Sequence, residues 1–405
     1  MRYFKPATLG LMSFTGIVML TVGMVAPILP LYFKDAGIAV GENGALIAVS
    51  GFMSALAALF AGNAADRFDR KKFMGVSGVA LGILPLGYLI AHSAGAFIAL
   101  RVLQGLAAPL AGVAAQAILM ELAQRSGHRG EVMGAERTVS SGTFVAGPIV
   151  GGAIGGLIAL RAVFVFQACL IIAGTLLALL LLRGEEGPSR RPVKLLSLPE
   201  FMRDRVTLAL LALLLFDFMN FQVLTFVLPL YGRDHGISAA TVGLLITVQS
   251  LAYALLQGPV GKLADGKRAI PVLATCTVAG GPVVWLCSLT SNPWLIGGLM
   301  VLFGLASAPV FLVVMMTVAD AAGERAGVAM GLINAVIYVA AGLAPLVSAL
   351  LSEISIQQGF LAPVINSLLS IPLLVIVWRW AASPHTAEAG PEKMPENTSA
   401  SAEDQ

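Results

Sequence analysis

Long apolar runs separated by short polar breaks make up most of the 405-residue chain. A helix needs about 20 consecutive apolar residues to cross a bilayer. Twelve stretches qualify: residues 8–32, 44–63, 73–92, 95–121, 133–158, 160–182, 207–231, 241–261, 270–290, 294–318, 328–351 and 360–380. None shows the ten-residue alternation of a barrel strand, and backbone groups in hydrocarbon must be paired internally, so helices are predicted throughout. The first run is too long for a cleaved signal peptide, and no small-residue cleavage site follows it. The pattern predicts an all-α polytopic membrane protein.

Composition sharpens this. Only 12% of residues are charged, where a soluble domain carries roughly 25%. A chain that is 58% hydrophobic is not disordered, and three cysteines do not make a disulfide scaffold. Cys169, Cys276 and Cys287 all fall inside spans without metal-ligand spacing and read as small core residues. The net charge of +3 is too small to imply a nucleic-acid partner.

The positive charges set an orientation instead. With the N-terminus inside, 20 of the 25 Lys and Arg residues fall on the inner side, including Arg67, Arg70, Lys71, Lys72, Arg125 and Arg129. Outer loops hold Lys34, Arg161 and Arg233, while Arg101 and Arg137 lie within spans. The excess predicts a multi-pass protein of the cell inner (cytoplasmic) membrane with both termini cytoplasmic.

The chain also repeats itself. Leu29-Pro30-Leu31-Tyr32-Phe33-Lys34-Asp35-Ala36-Gly37-Ile38 returns 199 residues later as Leu228-Pro229-Leu230-Tyr231-Gly232-Arg233-Asp234-His235-Gly236-Ile237. The same offset carries Gly44 to Gly243, Gly62 to Gly261, Asp66 to Asp265, Gly105 to Gly304 and Glu121 to Asp320. An offset of 197 carries Met133-Gly134 to Met330-Gly331 and Pro148 to Pro345. The expected organisation is two pseudo-symmetric six-helix bundles, residues 1–182 and 207–382, joined by a cytoplasmic linker at 183–206. The tail at 383–405, rich in Pro, Glu, Ser and Ala, reads as disordered. Two parallel six-helix repeats suit alternating access around a site near the membrane midplane.

At the inner end of the second segment stand Gly62, Asp66, Arg67, Arg70 and Lys71. A carboxylate such as Asp66 is stabilised at a helix N-terminus by ~0.3–1 kcal/mol, and duplication of this acid as Asp265 argues against a plain solvated loop. These residues resemble the G-x-x-x-D-R-x-G-R-[RK] signature of the major facilitator superfamily, with Asp69 where the family has Gly. The resemblance covers the chain up to about Trp380. It implies the family's two-bundle fold and a gate that holds the outward-open state. In that gate Asp66 meets the start of the eleventh helix and Arg67 meets an acid ending the fourth. Glu121 is that acid here, and Asp320 is its repeat mate.

Within the spans, each charge is a functional candidate, because an intramembrane Arg costs ~2.5–3.5 kcal/mol on insertion scales. Arg101-Val102-Leu103-Gln104-Gly105 looks like the family's R-x-x-Q-G motif, whose Arg has been linked to proton handling; the other reading has Arg101 snorkelling to the outer interface. Gly147, Gly151 and Gly155 make a smooth ridge for close helix approach, and Pro148 invites a bend. Gly147-Pro148-x-x-Gly151-Gly152 resembles the G-P-x-x-G-G motif of the 12-helix drug:proton antiporter branch, which implies efflux. Asp217 lies midway along the seventh segment, where removal from water favours a protonated carboxyl. It reads either as a proton carrier or as a permanently paired group. Glu136 and Arg137 are assigned to the inner gate.

Cavity candidates are Gln104, Gln116, Phe216, Met219, Asn220, Gln222 and Met315. Soft Met and aromatic walls suit varied apolar ligands, although such residues also serve plain packing. Gly258-Pro259-Val260-Gly261-Lys262-Leu263 lacks the spacing and hydroxyl of a phosphate-binding loop, which disfavours ATP-driven pumping. The expectation is a secondary transporter, not an enzyme, that exports small amphipathic or drug-like molecules against protons. It would work as a monomer in the lipid bilayer, without cofactor or metal. A dedicated exporter of an endogenous metabolite, such as a siderophore, is the alternative, and a non-transporting sensor is a third.

Overall fold

A computed structural model describes residues 5–67, 69–183, 204–264, 269–322 and 326–381. Residues 184–203 of the expected linker, the expected tail and the gate residue Asp265 fall outside the described residues, and α8 begins within the expected linker at Arg205. Gly62, Asp66 and Arg67 lie where only the backbone is described.

Among the described residues, twelve helices are long and apolar enough to cross a membrane. The first half comprises α1 (Pro6–Val25), α2 (Ile28–Asp35), α3 (Val40–Arg67), α4 (Arg70–Ile83), α5 (Ala94–Ser126), α6 (Arg129–Leu157) and α7 (Leu160–Leu181). The second comprises α8 (Arg205–Asp234), α9 (Ala239–Ala264), α10 (Ala269–Leu286), α11 (Pro293–Ala322), α12 (Ala326–Ser352) and α13 (Leu361–Ala381). Short 3-10 turns, Leu84–Leu89 and Cys287–Leu289, finish α4 and α10. Each stands at the matching place in its half.

The repeat is kept in detail, with one instructive difference. The first span breaks at Ala26-Pro27 into α1 and the eight-residue α2, whereas α8 runs unbroken for 30 residues. Proline has no N–H to donate and disrupts the turn before it; the repeat position holds Phe226, which continues the helix. Both copies then end alike. Gly37 at φ 79° and Gly236 at φ 74° adopt the left-handed conformation that turns the chain out of the helix.

Asp69 explains how the gate turn forms without the family's glycine. It is the N-cap of α4, its carboxylate accepting from the backbone N–H groups of Lys71 at 2.9 Å and Lys72 at 3.3 Å. A capping carboxylate satisfies donors that would otherwise be orphaned at the helix start.

Glycines fix how closely the helices approach. Gly147 and Gly151 of α6 lie against α1, where a methyl on Gly147 would sit 2.6 Å from the Cα of Gly23. Gly105 packs on the Ser50 carbonyl of α3, and its repeat mate Gly304 packs on the Gln249 carbonyl of α9. Ser50 and Gln249 are themselves 199 residues apart. The duplication therefore extends to individual backbone contacts.

Candidate functional site: the cavity between the two halves

The halves meet along two seams related by the same pseudo-symmetry. On one, Gly44 of α3 abuts the Pro345 carbonyl of α12; on the other, Gly243 of α9 abuts the Pro148 carbonyl of α6. These are the pairs that the 199- and 197-residue offsets match. Gly51 against Gly342 and Gly152 against Gly243 continue the contacts. The Ile149 N–H donates to Thr247 Oγ1 at 3.0 Å across the second seam.

All these contacts lie toward the face opposite the chain termini, called here the far face. Toward the terminal face, Gly134 and Gly142 of α6 and Gly331 of α12 have open space around them, with nothing within 4 Å of a methyl placed there. At the far face the repeated motif closes the gap. Lys34 Nζ lies 2.5 Å from Asp234 Oδ1, and Arg233 pairs reciprocally with Asp35. Behind this clasp, the Tyr32 hydroxyl donates to the Tyr88 carbonyl, and its repeat mate Tyr231 donates to the Ser288 carbonyl at 3.3 Å and the Thr290 carbonyl at 3.2 Å.

Beneath the closed face lies a cavity of about 270 Å³. The first half contributes Ser50, Ser54, Arg101, Gln104, Phe144 and Gln167, and the second contributes Phe221, Gln222, Thr225 and Tyr338. Of the cavity residues expected from sequence, Gln104 and Gln222 line it. The others serve packing or internal bonding. Met219 is in the core of the second half, with Phe216 packed against it. Asn220 accepts from Asn366 Nδ2 of α13 at 2.8 Å, and Met315 packs among the apolar residues of α8 and α11. Gln116 donates to Glu136 Oε1 at 3.1 Å.

Arg101 reaches the wall of the cavity with three of its five N–H donors engaged. Its Nε donates to the Leu46 carbonyl at 3.2 Å and Nη2 to the Ile47 carbonyl at 3.1 Å, both on α3. Nη1 approaches Gln104 Oε1 at 3.4 Å, and the Tyr88 hydroxyl donates to the same oxygen at 2.8 Å. The guanidinium ties α5 to α3 through carbonyls already committed to helical bonds.

Among the described residues, two carboxyls are buried within the bundles. Asp217 of α8 is 8% exposed, faces Ser307 of α11 and has Tyr253 and Cys276 within electrostatic reach. Among the described residues no cation pairs with it within 4 Å. Glu136 of α6 is 4% exposed and accepts from Gln116 and, at 2.7 Å, from the Ser140 hydroxyl. At the terminal face Glu121 meets Arg125 at 2.6 Å and Arg70 at 3.7 Å.

Sequence reasoning passed over Phe144, Gln167 and Tyr338, which line the cavity, and the four residues of the clasp. The clasp had a signal: a base followed by an acid at matching places in both copies, Lys34-Asp35 and Arg233-Asp234. The cavity residues had none, because which side of an apolar helix faces the cavity is not written in its composition.

The model of the Major Facilitator Superfamily matches residues 11–234 and 210–402. The chain is 28% identical over 298 residues to the multidrug resistance protein MdtG of Enterobacter lignolyticus, covering 70% of each chain. It is 25% identical to the multi-drug resistance efflux pump PmrA of Streptococcus pneumoniae, covering 71% of this chain and 74% of that one. Among solved structures, the nucleoside transporter NupG superposes with a TM-score of 0.76 at 14% identity, over 92% of this chain and 99% of the other. The human organic anion transporter MFSD10 superposes at 0.60 and 17% identity, over 91% and 99%. These two share the fold. Twelve spans in two matched halves, a cavity between them and a family match along nearly the whole chain lead to one conclusion: the protein belongs to the Major Facilitator Superfamily and is a membrane transporter rather than an enzyme.

Proposed function

We propose that this transporter exports small amphipathic molecules in exchange for protons, with both termini in the cytoplasm of a cell whose inner membrane it spans. The observation that carries the reading is a cavity lined by both halves and shut at the far face by two reciprocal ion pairs. The pseudo-symmetric seams supply the second arrangement: what α3 and α12 do on one side, α6 and α9 do on the other, so rocking the halves trades one closed face for the other.

The positive charges beside Arg70, Arg125 and Arg129 favour a cytoplasmic terminal face. The Gly147-Pro148-x-x-Gly151-Gly152 ridge and the names of the two drug-efflux relatives favour export. Asp217, buried without a cationic partner among the described residues, is the favoured proton carrier: a charge crossing the membrane is driven by about 2.3 kcal/mol per 100 mV. Gate roles for Asp66, Arg67, Asp265 and Asp320 belong to the same reading.

The test is reconstitution of the full chain in vesicles with an imposed pH gradient and a panel of amphipathic compounds. Asp217→Asn is expected to lose gradient-driven flux while keeping exchange at equal pH. Arg101→Ala is carried alongside. Gradient-driven flux unchanged in both variants excludes these two residues from coupling, and no flux of any compound in the unmodified protein excludes export of this kind.

A further inference from the structure

The cavity sets a pair of aromatic rings beside uncharged amides. Phe144 of α6 and Phe221 of α8 meet from opposite halves, with centroids 6.2 Å apart and planes inclined by 51°. Aromatic faces in such a pair hold flat apolar ligands by dispersion and quadrupole contacts. Three glutamines share the wall with them: Gln104, Gln167 and Gln222. Gln104 accepts through its carbonyl from Tyr88 and Arg101, which leaves its NH2 group to donate.

Gln167 is the informative one. The residue is 8% exposed, and its Oε1 has no hydrogen-bond partner. An amide oxygen left unpaired away from water is costly, and a ligand donor would relieve that cost. Rotation about χ3 brings either end of the amide to the cavity.

Charge narrows the ligand further. Among the described residues no carboxylate lines this cavity, and Arg101 is its single charged side chain. A lipophilic cation would lose its hydration without gaining a counter-charge and would approach a like charge. A carboxylate would meet a guanidinium with three of its five N–H groups, one each on Nε, Nη1 and Nη2, already donating to carbonyl oxygens. Both buried acids, Asp217 and Glu136, point into their own bundles instead.

We propose that the cavity takes neutral, planar aromatic molecules with a hydrogen-bond donor beside an acceptor, of the lactam or aryl-amide class. The ring lies against Phe144 and Phe221, and the polar edge meets the amides of Gln167 and Gln104. This rests on the transporter reading above and names the substrate class for the same site.

Binding to the purified full-length protein is measured by titration calorimetry with three probes: quinolin-2(1H)-one, its N-methyl derivative and tetraphenylphosphonium. The N–H compound is expected to bind at least tenfold more tightly than the N-methyl compound, and the cation more weakly than either. Gln167→Leu is expected to abolish the N–H preference, and Phe221→Ala to weaken both neutral ligands. Tighter binding of the cation, no binding of the N–H compound, or an N–H preference that survives Gln167→Leu would overturn the proposal. If the variant does not fold, the three-probe comparison on the unmodified protein decides alone.

Vesicle flux separates this inference from the reading beneath it. Binding with the expected preferences but no transport would leave the ligand class standing and remove export. Transport of the cation in place of the neutral compounds would keep export and remove the ligand class.

Discussion

Lys34 Nζ lies 2.5 Å from Asp234 Oδ1, joining the end of α2 to the end of α8. Because the motif is duplicated, Arg233 and Asp35 make the same contact in reverse. One sequence element thus bonds to its own copy across the pseudo-twofold axis. All four side chains are a third to nearly half exposed, which limits each pair to ~0.2–1 kcal/mol. That is a fitting size for a catch that must open in every cycle. Removing both pairs by Lys34→Ala with Arg233→Ala is expected to shift the balance toward an open far face by roughly 2- to 30-fold. Distances between spin labels near Ala36 and His235 would report it. Reversing one pair, Lys34→Asp with Asp234→Lys, is expected to restore closure; failure of that swap would show that the pairs do not hold the face shut.

The seam glycines are expected to be intolerant in proportion to their contacts. Gly243→Ala and Gly44→Ala each push a methyl into a proline carbonyl of the other half, and overpacking of this kind costs about 1–3 kcal/mol. If these contacts open with the far face, the expected result is reduced transport with an unchanged unfolding midpoint in the open state. Gly151→Leu, which meets the Met24 backbone within one half, is expected to abolish transport. Gly142→Ala, which meets nothing within 4 Å, is the control, and transport rates across the set check the order.

Arg101 holds α5 to α3 through two carbonyls, and hydrogen bonds to charged groups contribute ~1.5–3 kcal/mol each. Arg101→Lys is expected to lower the thermal midpoint in detergent nearly as much as Arg101→Ala, because an ammonium cannot span the Leu46 and Ile47 oxygens as the planar fork does. Full stability with Lys would reduce the role of Arg101 to its charge.

Glu136 receives hydrogen bonds from Gln116 and Ser140, so the side-chain shape matters to the first bundle. Glu136→Gln keeps an acceptor oxygen and is expected to leave the fold intact. Glu136→Leu strands the buried Ser140 hydroxyl and is expected to cost about 1–3 kcal/mol. Thermal unfolding separates the two, and equal stability would show that water replaces the lost acceptor.

Much of this architecture is legible in one dimension. Span length follows from local residue chemistry, whereas the break at Ala26-Pro27 inside the run expected at 8–32 emerged only with the structure. The repeat matched Gly44 with Gly243 and Pro148 with Pro345, yet it could not say that Gly44 faces Pro345 and Gly243 faces Pro148. That crossing of the pairs is a fact of how the halves dock. The candidate site was less legible for the same reason. Met219 and Asn220 are neighbours of Phe221 and Gln222 in sequence, yet a rotation of about 100° per residue turns the first two toward the bundle and the latter two toward the cavity.

The sequence by itself determined the twelve spans, the internal duplication and the scarcity of intramembrane charge, because lipid imposes length and apolarity on every segment without regard to its neighbours. Only the tertiary structure decided which charges are spoken for, which amide is left unpaired and which face is shut. Those properties depend on helix rotation and on the docking of two similar bundles, where a few hydrogen bonds and exposed ion pairs select between arrangements that the apolar surface alone leaves nearly equal.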